Sequence, residues 1–465
     1  MVFQVRPAPP MRDPLACCRM LLLVPALLLA GCATHIDRLQ PIREQFFAGQ
    51  IAAARQTVVE VSAKKKKEAD VLALDQAIIE LSDGRPREAE QILRRVRDRF
   101  DTFEQKDIKE ELAVYTVDDT ARSYSGEDYE RVLIRAFLAI SNLMTDGSDA
   151  GAYALQLTEK QQQVIAAVTE KSPEHPEVAL AYKQVALGPY IRAALAEESP
   201  LTFDEAVRAR TQVVSWEPEF RDAETDLQRA KFDKPVAPGR GVVYVFALVG
   251  RGPIKEETIE IPTQAALLVA DRVISSFTKR GLTPTLAPIK IPKVMTFYSP
   301  IDHVAVTHAG QPVGQTATIV NIGQMARDQQ EARYPEIIGR AVARRTIKKA
   351  ALYAVKEGAQ TNAEMGLLVD VAGVAWEASE KADTRCWGLL PDRIQVARIE
   401  LPSGPQQLAL QPSAAHGKVG AAAAVTVNVP DGRNTYVLAN FPEYNLVGQI
   451  VTSGTGNAGG RVALE

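Results

Sequence analysis

The sequence predicts a multidomain α+β protein of 465 residues. An N-terminal α-helical solenoid precedes a mixed α/β, mainly antiparallel-sheet domain with an inserted helical hairpin. Apolar residues at helical spacing, with little proline or glycine, predict the helical domain over residues 32–234. Proline and glycine then mark a linker at 235–241. Short runs of β-branched residues between turn signals predict the sheet domain over 242–453, and the glycine-rich tail 454–465 is predicted to be flexible.

A signal peptide is predicted over residues 1–31. Arg6, Arg12 and Arg19 form a basic region ahead of the apolar run from Leu21 to Leu29. This run is too short for a bilayer of about 30 Å, which needs roughly 20 apolar residues. A basic region, a short apolar run and small residues at its end are typical of a secretory signal. Translation starts at Met1 or at Met11.

The apolar run ends in Leu29, Ala30, Gly31 and Cys32, which resembles the lipobox of bacterial lipoproteins. The resemblance implies cleavage after Gly31 and a lipid on Cys32, which gives the protein a membrane as its first partner. An Asp after the cysteine often retains lipoproteins in the inner membrane. Ala33 stands there instead, which implies the periplasmic face of the outer membrane.

The cysteine positions and the net charge argue against an intramolecular disulfide and against nucleic-acid binding. Cleavage removes Cys17 and Cys18, and lipid occupies Cys32, so Cys386 has no partner for an intramolecular disulfide. Removing a segment of net charge +2 changes the formal charge of −3 to about −5. This mild acidity argues against nucleic acid as a partner.

Two segments of the helical domain look alike. Gly49 and Gly84 lie 35 residues apart, and each follows an amphipathic run and precedes small alanines. Glycine permits a tight turn between antiparallel helices, and alanines allow the helices to approach closely. The pattern resembles the tetratricopeptide repeat, whose period is about 34 residues. The sequence therefore predicts stacked helical hairpins that bury their faces on their neighbours.

The rest of the helical domain is less regular. Three degraded units are predicted at 133–164, 178–195 and 203–230. The acidic segment 100–128 is interpreted as an irregular, solvated connector, with metal binding as the alternative. The basic run Lys64–Lys67 is interpreted as a solvated helix end, with an anionic surface as the alternative contact.

The sheet domain opens with eight apolar residues, Val242–Val249, which predict a strand buried on both faces. Gly250–Pro253 predicts a turn and no phosphate site, since no further glycine opens a helix. Gln264–Arg280 predicts an amphipathic helix. Further strands are predicted at 294–298, 304–308, 315–320, 393–401, 407–411, 425–429 and 435–440.

The inserted hairpin is predicted from a helix at 325–357, with a break near Pro335, and a helix at 363–381 rich in small residues. The first helix is basic toward its C-terminal end, where cations interact favourably with the helix dipole. Its residues form either a solvated face or a contact for lipid headgroups, glycan phosphates or an acidic partner. The candidate contact residues are Arg344, Arg345, Lys348 and Lys349.

The stretch 382–398 is distinctive. It is similar to A-D-T-R-x-W-x-x-L-P-x-x-I-Q-x-A-R of a family of uncharacterised proteobacterial lipoproteins, in which a helical, repeat-like half precedes a strand-rich half. The resemblance implies membership of that family but no particular activity. Its signature residues, structural or binding, are Asp383, Thr384, Arg385, Trp387, Pro391 and Arg398.

The chemistry of the signature residues leads to a further prediction that does not depend on the resemblance. In a strand from 393, Ile394, Val396 and Arg398 share one face. A buried arginine needs a partner, so we predict that Asp383 pairs with Arg385 or Arg398, covered by Trp387. A single acid without a second acid, a histidine or a metal ligand is weak support for catalysis.

The function predicted first is a protein-interaction scaffold in cell-envelope assembly or maintenance, with an envelope protein as partner. No catalytic residue, cofactor or metal is predicted. His303 and His308 are the only histidines close together in the sequence, and their side chains are expected on opposite faces of one strand, which disfavours a shared metal. One alternative is an enzyme acting on envelope glycan or lipid, with Asp383 beside Glu377, Glu380 or Asp392. The other is a protein that binds anionic lipid or polymer through its basic helix. With the anchor ahead of the helices, the signature is expected at the membrane-distal end.

Overall fold

The computed structural model describes residues 34–107, 123–173, 175–232, 236–277, 283–284, 286–358 and 381–454, with the backbone alone for 105–107, 277 and 351–358. These residues form an α+β fold of packed helices and mainly antiparallel sheets. The signal peptide with Cys32, residues 363–380 of the helix predicted at 363–381 and the tail beyond 454 lie outside the described residues. Lys381 itself is not helical.

The first half of the described chain is helical, as predicted. Each of its longer helices packs on the next one along the chain. The helices are α1 His35–Phe47, α2 Ile51–Lys64, α3 Ala69–Ser82, α4 Pro86–Asp107, α5 Asp128–Leu143, α6 Ala150–Lys171, α7 Pro176–Leu180, α8 Leu187–Ala196, α9 Phe203–Trp216 and α10 Ala223–Lys231.

Glycines make the turns of the helical hairpins. Gly49 joins α1 to α2 with φ 77°, Gly84 joins α3 to α4 with φ 75°, and Gly147 joins α5 to α6 with φ 72°. A positive φ costs a residue with a Cβ atom roughly 1–2 kcal/mol, so glycine is the residue that suits these turns. The predicted turns at Gly49 and Gly84 are confirmed, and the Lys64–Lys67 run lies exposed at the end of α2.

The unit predicted at 178–195 falls on two helices, the short α7 and α8. Gly188 and Pro189 occupy the first turn of α8, where proline is tolerated since the N–H there lacks an intrahelical partner. One prediction about the helical half was wrong. The segment 100–128 does not begin as an irregular connector, because α4 continues to Asp107. Asp101 on that extension pairs with Arg135 of α5 at 2.7 Å.

Strands dominate the second half, mostly where they were predicted. They are β1 Arg240–Val249, β2 Ile254–Glu260, β3 Ile289–Met295, β4 His303–His308, β5 Gln311–Gln315, β6 Ala317–Asn321, β7 Arg393–Pro402, β8 Gly404–Ala414, β9 Gly417–Lys418, β10 Ala423–Val429, β11 Asn434–Phe441 and β12 Val451–Thr452. Sequence analysis missed β2, β9 and β12. Of β5 it placed only Gln315 in a strand, which it joined to β6 across Thr316.

Two sheets and the helices form three layers. The first sheet has the order β12-β11-β1-β7-β6, and β1 runs parallel to β11 and antiparallel to β7. The second sheet has the order β10-β8-β4-β5, with β9 beside β8. One face of β1 packs on the helices through Tyr244 and Phe246. The other packs on the second sheet through Val243 and Val245, so β1 is buried on both faces, as predicted.

A smaller unit projects from these layers. It consists of the β2–β3 pair, α11 Gln264–Phe277 and α13 Tyr334–Gly358, around Ile274, Ile291 and Val342. The predicted helix at 325–357 is two helices, α12 Ile322–Ala332 and α13, which break at Arg333 just before Pro335. None of the helices in the described part of the chain has the length and apolarity that a membrane span requires.

Candidate functional site

The signature stretch lies between the helices and the first sheet. Trp387 is fully buried, and its ring lies 5.3 Å from the ring of Phe137 on α5, measured between centroids. Thr384, Arg385 and Pro391 are buried as well. The first helices of the chain cover the apolar surface of this stretch, since Trp387 and Leu389 share one core with Leu39 and Ile78.

The predicted pairing of Asp383 with Arg385 is confirmed. Nη2 of Arg385 lies 2.6 Å from Oδ2 of Asp383, and the backbone N–H of Arg385 donates to Oδ1 at 3.1 Å. Burial by itself raises the pKa of Asp383, but the hydrogen bonds from Arg385 and the charges of Lys255 and Arg385 together outweigh it and lower the pKa. The Arg385 guanidinium lies 5.3 Å from the ring centroid of Tyr124. The Asp383 carboxylate is therefore held within an ion pair.

Three side chains of the helices bind the backbone of the signature, and we call them the backbone clamp: Arg43, Asp75 and Glu130. Glu130 accepts the N–H of Trp387 at 2.7 Å, and Asp75 accepts the N–H of Leu389 at 2.8 Å. Arg43 donates to the carbonyl of Gly388. A Cβ atom on Gly388 would lie 2.1 Å from Cδ2 of Leu39, so only glycine allows this close approach.

Burial dominates the electrostatics of the backbone clamp. It raises the pKa of Glu130 to about 6, although the amide of Trp387 and the hydroxyl of Tyr124 act in the opposite direction. The pKa of Asp75 is raised well above its usual range for the same reason. Sequence analysis missed both acids. One feature of the sequence could have identified Asp75 as a buried acid: it is the single carboxylate within the apolar helical run from Leu72 to Ile79.

A second group of charges surrounds Arg398, and we call it the arginine network: Glu197, Arg210, Asp226, Arg229 and Arg398. Fully buried Arg210 binds Glu197 at 2.8 Å and Asp226 at 3.0 Å, and Arg229 binds Glu197 at 3.0 Å. Burial by itself raises the pKa of Glu197, but Arg210 and Arg229 outweigh it and lower the pKa to about 2.

Arg398 obtains its partners from this network and not from Asp383. Its Nη1 donates to Glu400 at 2.8 Å, and its Nε lies 3.8 Å from Glu197, the residue that follows α8. The strand faces were predicted correctly, since Ile394 and Val396 pack toward the helices on the same side as Arg398. The alternative pairing of Asp383 with Arg398 is replaced by Glu400, two residues along the same strand, and by Glu197, about 200 residues away in the chain.

An open cleft of about 680 Å³ adjoins the arginine network. One wall is α10 with its flanking residues, and the other is formed by β5 and β7. The half-exposed Arg221 crosses between the walls, since it binds Asp222 at 2.8 Å and donates to the carbonyl of Gln315 at 3.0 Å. The lining residues that matter for binding are Arg221, Asp222, Asp226, Arg229, Phe232 and Arg398.

The remaining predicted site residues do not join this cleft. Cys32 and the cleavage residues Leu29, Ala30 and Gly31 lie outside the described residues. Arg344 is buried and Arg345 donates to the carbonyl of Pro288, whereas Lys348 and Lys349 are partly exposed. No group of three metal-ligating side chains occurs among the described residues. Glu377 and Glu380 are not described, and Asp392 pairs with Arg393 at 3.2 Å.

Comparison with protein-family models found no matching family, and comparisons with curated proteins and with solved structures found no significant match.

Proposed function

We propose that the protein is a membrane-anchored periplasmic lipoprotein that acts as a protein-interaction scaffold in cell-envelope assembly or maintenance. The observation that carries the proposal is the series of helices, each packed on the next and turned at glycines, which ends beside an open cleft. Stacked helical hairpins present extended surfaces that bind protein segments. An envelope protein is therefore the partner that this architecture suits.

The helical half is proposed to be a tetratricopeptide-like solenoid. Three features support this: the 35-residue separation of Gly49 and Gly84, their left-handed conformations and the contact of each hairpin with the next. The repeat is irregular beyond α6, where the short α7 precedes α8. A solenoid whose last helices pack on a sheet has that end protected, as repeat arrays require.

The anchor is proposed to be a lipid on Cys32, at the periplasmic face of the outer membrane. Helix α1 begins at His35, and Thr34 caps it through a capping box with Asp37. Only two residues would then separate the lipid from the capped helix, so the helical half would lie close to the membrane. Mass spectrometry of the N-terminal peptide tests this proposal. An unmodified Cys32, or a chain that retains residues 1–31, would overturn it.

The scaffold proposal is tested by crosslinking in intact envelopes, followed by purification of the lipidated protein and identification of bound proteins. A lipid-only control, such as an unrelated protein carrying residues 1–34 of this chain, defines the background. We expect a defined protein to be recovered above that background. If only background proteins are recovered, the scaffold proposal is wrong.

A further inference from the structure

The second sheet ends at strand β10, whose outer edge faces no other strand of the described chain. The hydrogen bonds of β8 determine which backbone groups of β10 point outward. The carbonyl of Pro412 accepts the N–H of Val419 on the side of β10, and the carbonyl of Ser413 accepts the N–H of Asp302 on the side of β4. Even-numbered residues of β8 therefore bond to β10, and the register pairs them with odd-numbered residues of β10.

The even-numbered residues of β10 present their backbone N–H and C=O groups to the open edge. These residues are Ala424, Thr426 and Asn428. The carbonyl of Asn428 accepts the hydroxyl of Thr435 at 3.2 Å. Within the described chain, the outward groups of Ala424 and Thr426 have no hydrogen-bond partner. The edge therefore offers unused donors and acceptors to another strand.

The burial of β10 shows that this edge is uncovered by the described chain. Ala423 and Val425 point into the core between the two sheets, yet both are only partly buried, whereas Val427 on the same face is buried. The three even-numbered side chains on the opposite face are exposed. The core between the sheets is thus open beside Ala423 and Val425, where a further strand would cover it.

Edge strands are commonly protected from pairing by charge, proline, a bulge or short length. The other edges of the two larger sheets have such protection. Strand β5 carries Pro312, β6 has a register shift between Thr318 and Val320, and β12 has two residues. By contrast, the chain from Val419 to Val429 contains no charged residue and no proline. Strand β10 is therefore the edge that is suited to pair with another chain.

The sequence of β10 is complementary to a second copy of itself. Its seven residues, Ala-Ala-Val-Thr-Val-Asn-Val, are centred on Thr426. A two-fold axis at this residue would place Thr426 opposite itself and Ala424 opposite Asn428, so that outward N–H groups meet outward C=O groups. On the inner face, Val425 would meet Val427 of the second copy. Threonine pairs and pairs of β-branched residues stabilise neighbouring strands.

The charges that flank β10 are compatible with this pairing. Lys418 precedes the uncharged segment and Asp431 follows it. Antiparallel copies would therefore bring the positive end of one segment toward the negative end of the other. Arg433, the next charge, lies 3.7 Å from Glu198 of its own chain. The edge has no charge that would select a foreign peptide, whereas its symmetry about Thr426 selects a second copy.

We propose that two copies of the protein associate through β10, as antiparallel strands about a two-fold axis at Thr426, which joins their second sheets into one. The proposal concerns the assembly state of the chain. It depends neither on a lipid at Cys32 nor on an envelope partner, so its failure and that of the scaffold function are distinguishable.

Sedimentation equilibrium of the full mature chain with Cys32→Ser, which excludes association through lipid, measures the assembly state. We expect twice the mass of the chain. Thr426→Pro removes an outward N–H and no bond to β8, and proline is tolerated on the solvent side of an edge strand, so this variant should be monomeric. Thr426→Lys places like charges directly opposite each other and should be monomeric as well.

Gln407→Lys is the matched control for the charge. Gln407 is exposed on β8 and lies beside Thr426 in the register, one strand away from the edge. The same change in charge is then made outside the proposed interface, so Gln407→Lys should remain dimeric. Circular dichroism establishes that the variants are folded.

Crosslinking tests the position of the axis. In the Cys32→Ser chain the remaining cysteine, Cys386, is fully buried. With copper phenanthroline as oxidant, Thr426→Cys should form a disulfide between copies roughly tenfold faster than Ala424→Cys, or more, because a disulfide needs Cα atoms within about 7 Å. The two copies of residue 424 would lie four positions, roughly 13 Å, apart along the strands.

The proposal is overturned if the Cys32→Ser chain is monomeric, if both cysteine variants crosslink at equal rates, or if the dimer persists in both Thr426→Pro and Thr426→Lys. Loss of the dimer in Gln407→Lys would also overturn it. A monomer that dimerises only after deletion of residues 455–465 would mean that the tail occupies the edge, which overturns the proposal as well. If Thr426→Pro does not fold, Thr426→Lys and the crosslinking rates still decide the question.

Discussion

Two buried groups of charges join the helices to the first sheet, and their carboxylates have opposite pKa shifts. In the backbone clamp, Glu130 and Asp75 accept neutral amide N–H groups of the signature, and burial raises their pKa values. In the arginine network, Arg210 and Arg229 flank Glu197, and its pKa falls to about 2. The nature of the donor, neutral amide or cation, decides the sign.

The two groups also differ in what they contact. The amide donors of the backbone clamp belong to the chain itself, so this group serves to hold the signature in place. The lowered pKa keeps Glu197 of the arginine network ionised, and Arg229 and Arg398 of this network line the cleft. Their guanidinium groups pair with Glu197 and Glu400. Three changes test this comparison, from the largest expected effect to the smallest, and a fourth tests the Asp383–Arg385 pair.

Arg210→Met removes the central cation of the arginine network. Glu197 and Asp226 would remain buried with less compensation, so we expect a loss of about 3–5 kcal/mol in the free energy of unfolding. Urea unfolding measures it. Arg192→Met is the matched control, since Arg192 is partly exposed and pairs with Glu205. A loss below about 1 kcal/mol for Arg210→Met would contradict the assignment.

Glu130→Ala removes an acceptor of the backbone clamp and leaves the N–H of Trp387 without a partner. A buried unsatisfied donor costs about 1–3 kcal/mol. Glu130→Gln keeps a carbonyl acceptor for the N–H of Trp387 but turns an amide NH2 toward the N–H of Glu127, so we expect a loss smaller than that of Glu130→Ala. Thermal and urea unfolding of both variants compare the two costs. Equal losses in the two variants would show that the hydrogen bond to Trp387 does not account for the effect.

The pH dependence of stability separates the two groups of charges. Glu130 has a raised pKa of about 6 in the folded protein, so folding binds its proton, and its contribution is lost as pH rises from about 4.5 through 6. Glu197 has a lowered pKa, so its contribution is lost as pH falls from about 4.5 toward 2.

Urea unfolding of the unmodified protein and of Glu130→Gln at several pH values between 4.5 and 6.5 measures the first contribution. We expect the unmodified protein to lose on the order of 1–2 kcal/mol relative to the variant over this range. Parallel pH profiles would show that Glu130 titrates normally and that its burial is not maintained.

Asp383→Asn tests the ion pair of the signature. We expect a loss of about 1–2 kcal/mol, because the variant removes one charge of a largely buried pair but keeps an oxygen acceptor. The melting temperature should fall by a few degrees. Asp98→Asn is the control, since Asp98 is 65% exposed and pairs with neighbouring Arg97. An unchanged melting temperature for Asp383→Asn would mean that the pair with Arg385 is not structural.

Local patterns predicted a large part of this fold correctly. The alternation and length of apolar runs located β1 and β7 and the faces of Ile394 and Val396. Sequence patterns did not predict elements that are stabilised by residues distant in the chain. Strand β2 has the sequence IKEETIE, with few apolar residues, and it forms because β3 pairs with it along its whole length. The cleft could not be predicted, because its walls come from residues near 225, 315 and 398.

The sequence by itself determined the α+β class, the glycine turns at Gly49 and Gly84, the fully buried β1 and the need of Arg398 for a partner. These follow from side-chain periodicity, backbone freedom and the cost of a buried charge, which are local properties. Only the tertiary structure decided which acids meet the signature and where the cleft opens. Asp75 and Glu130 reach residues 387–389 across more than 250 positions of chain, and such contacts are selected by the packing of whole layers.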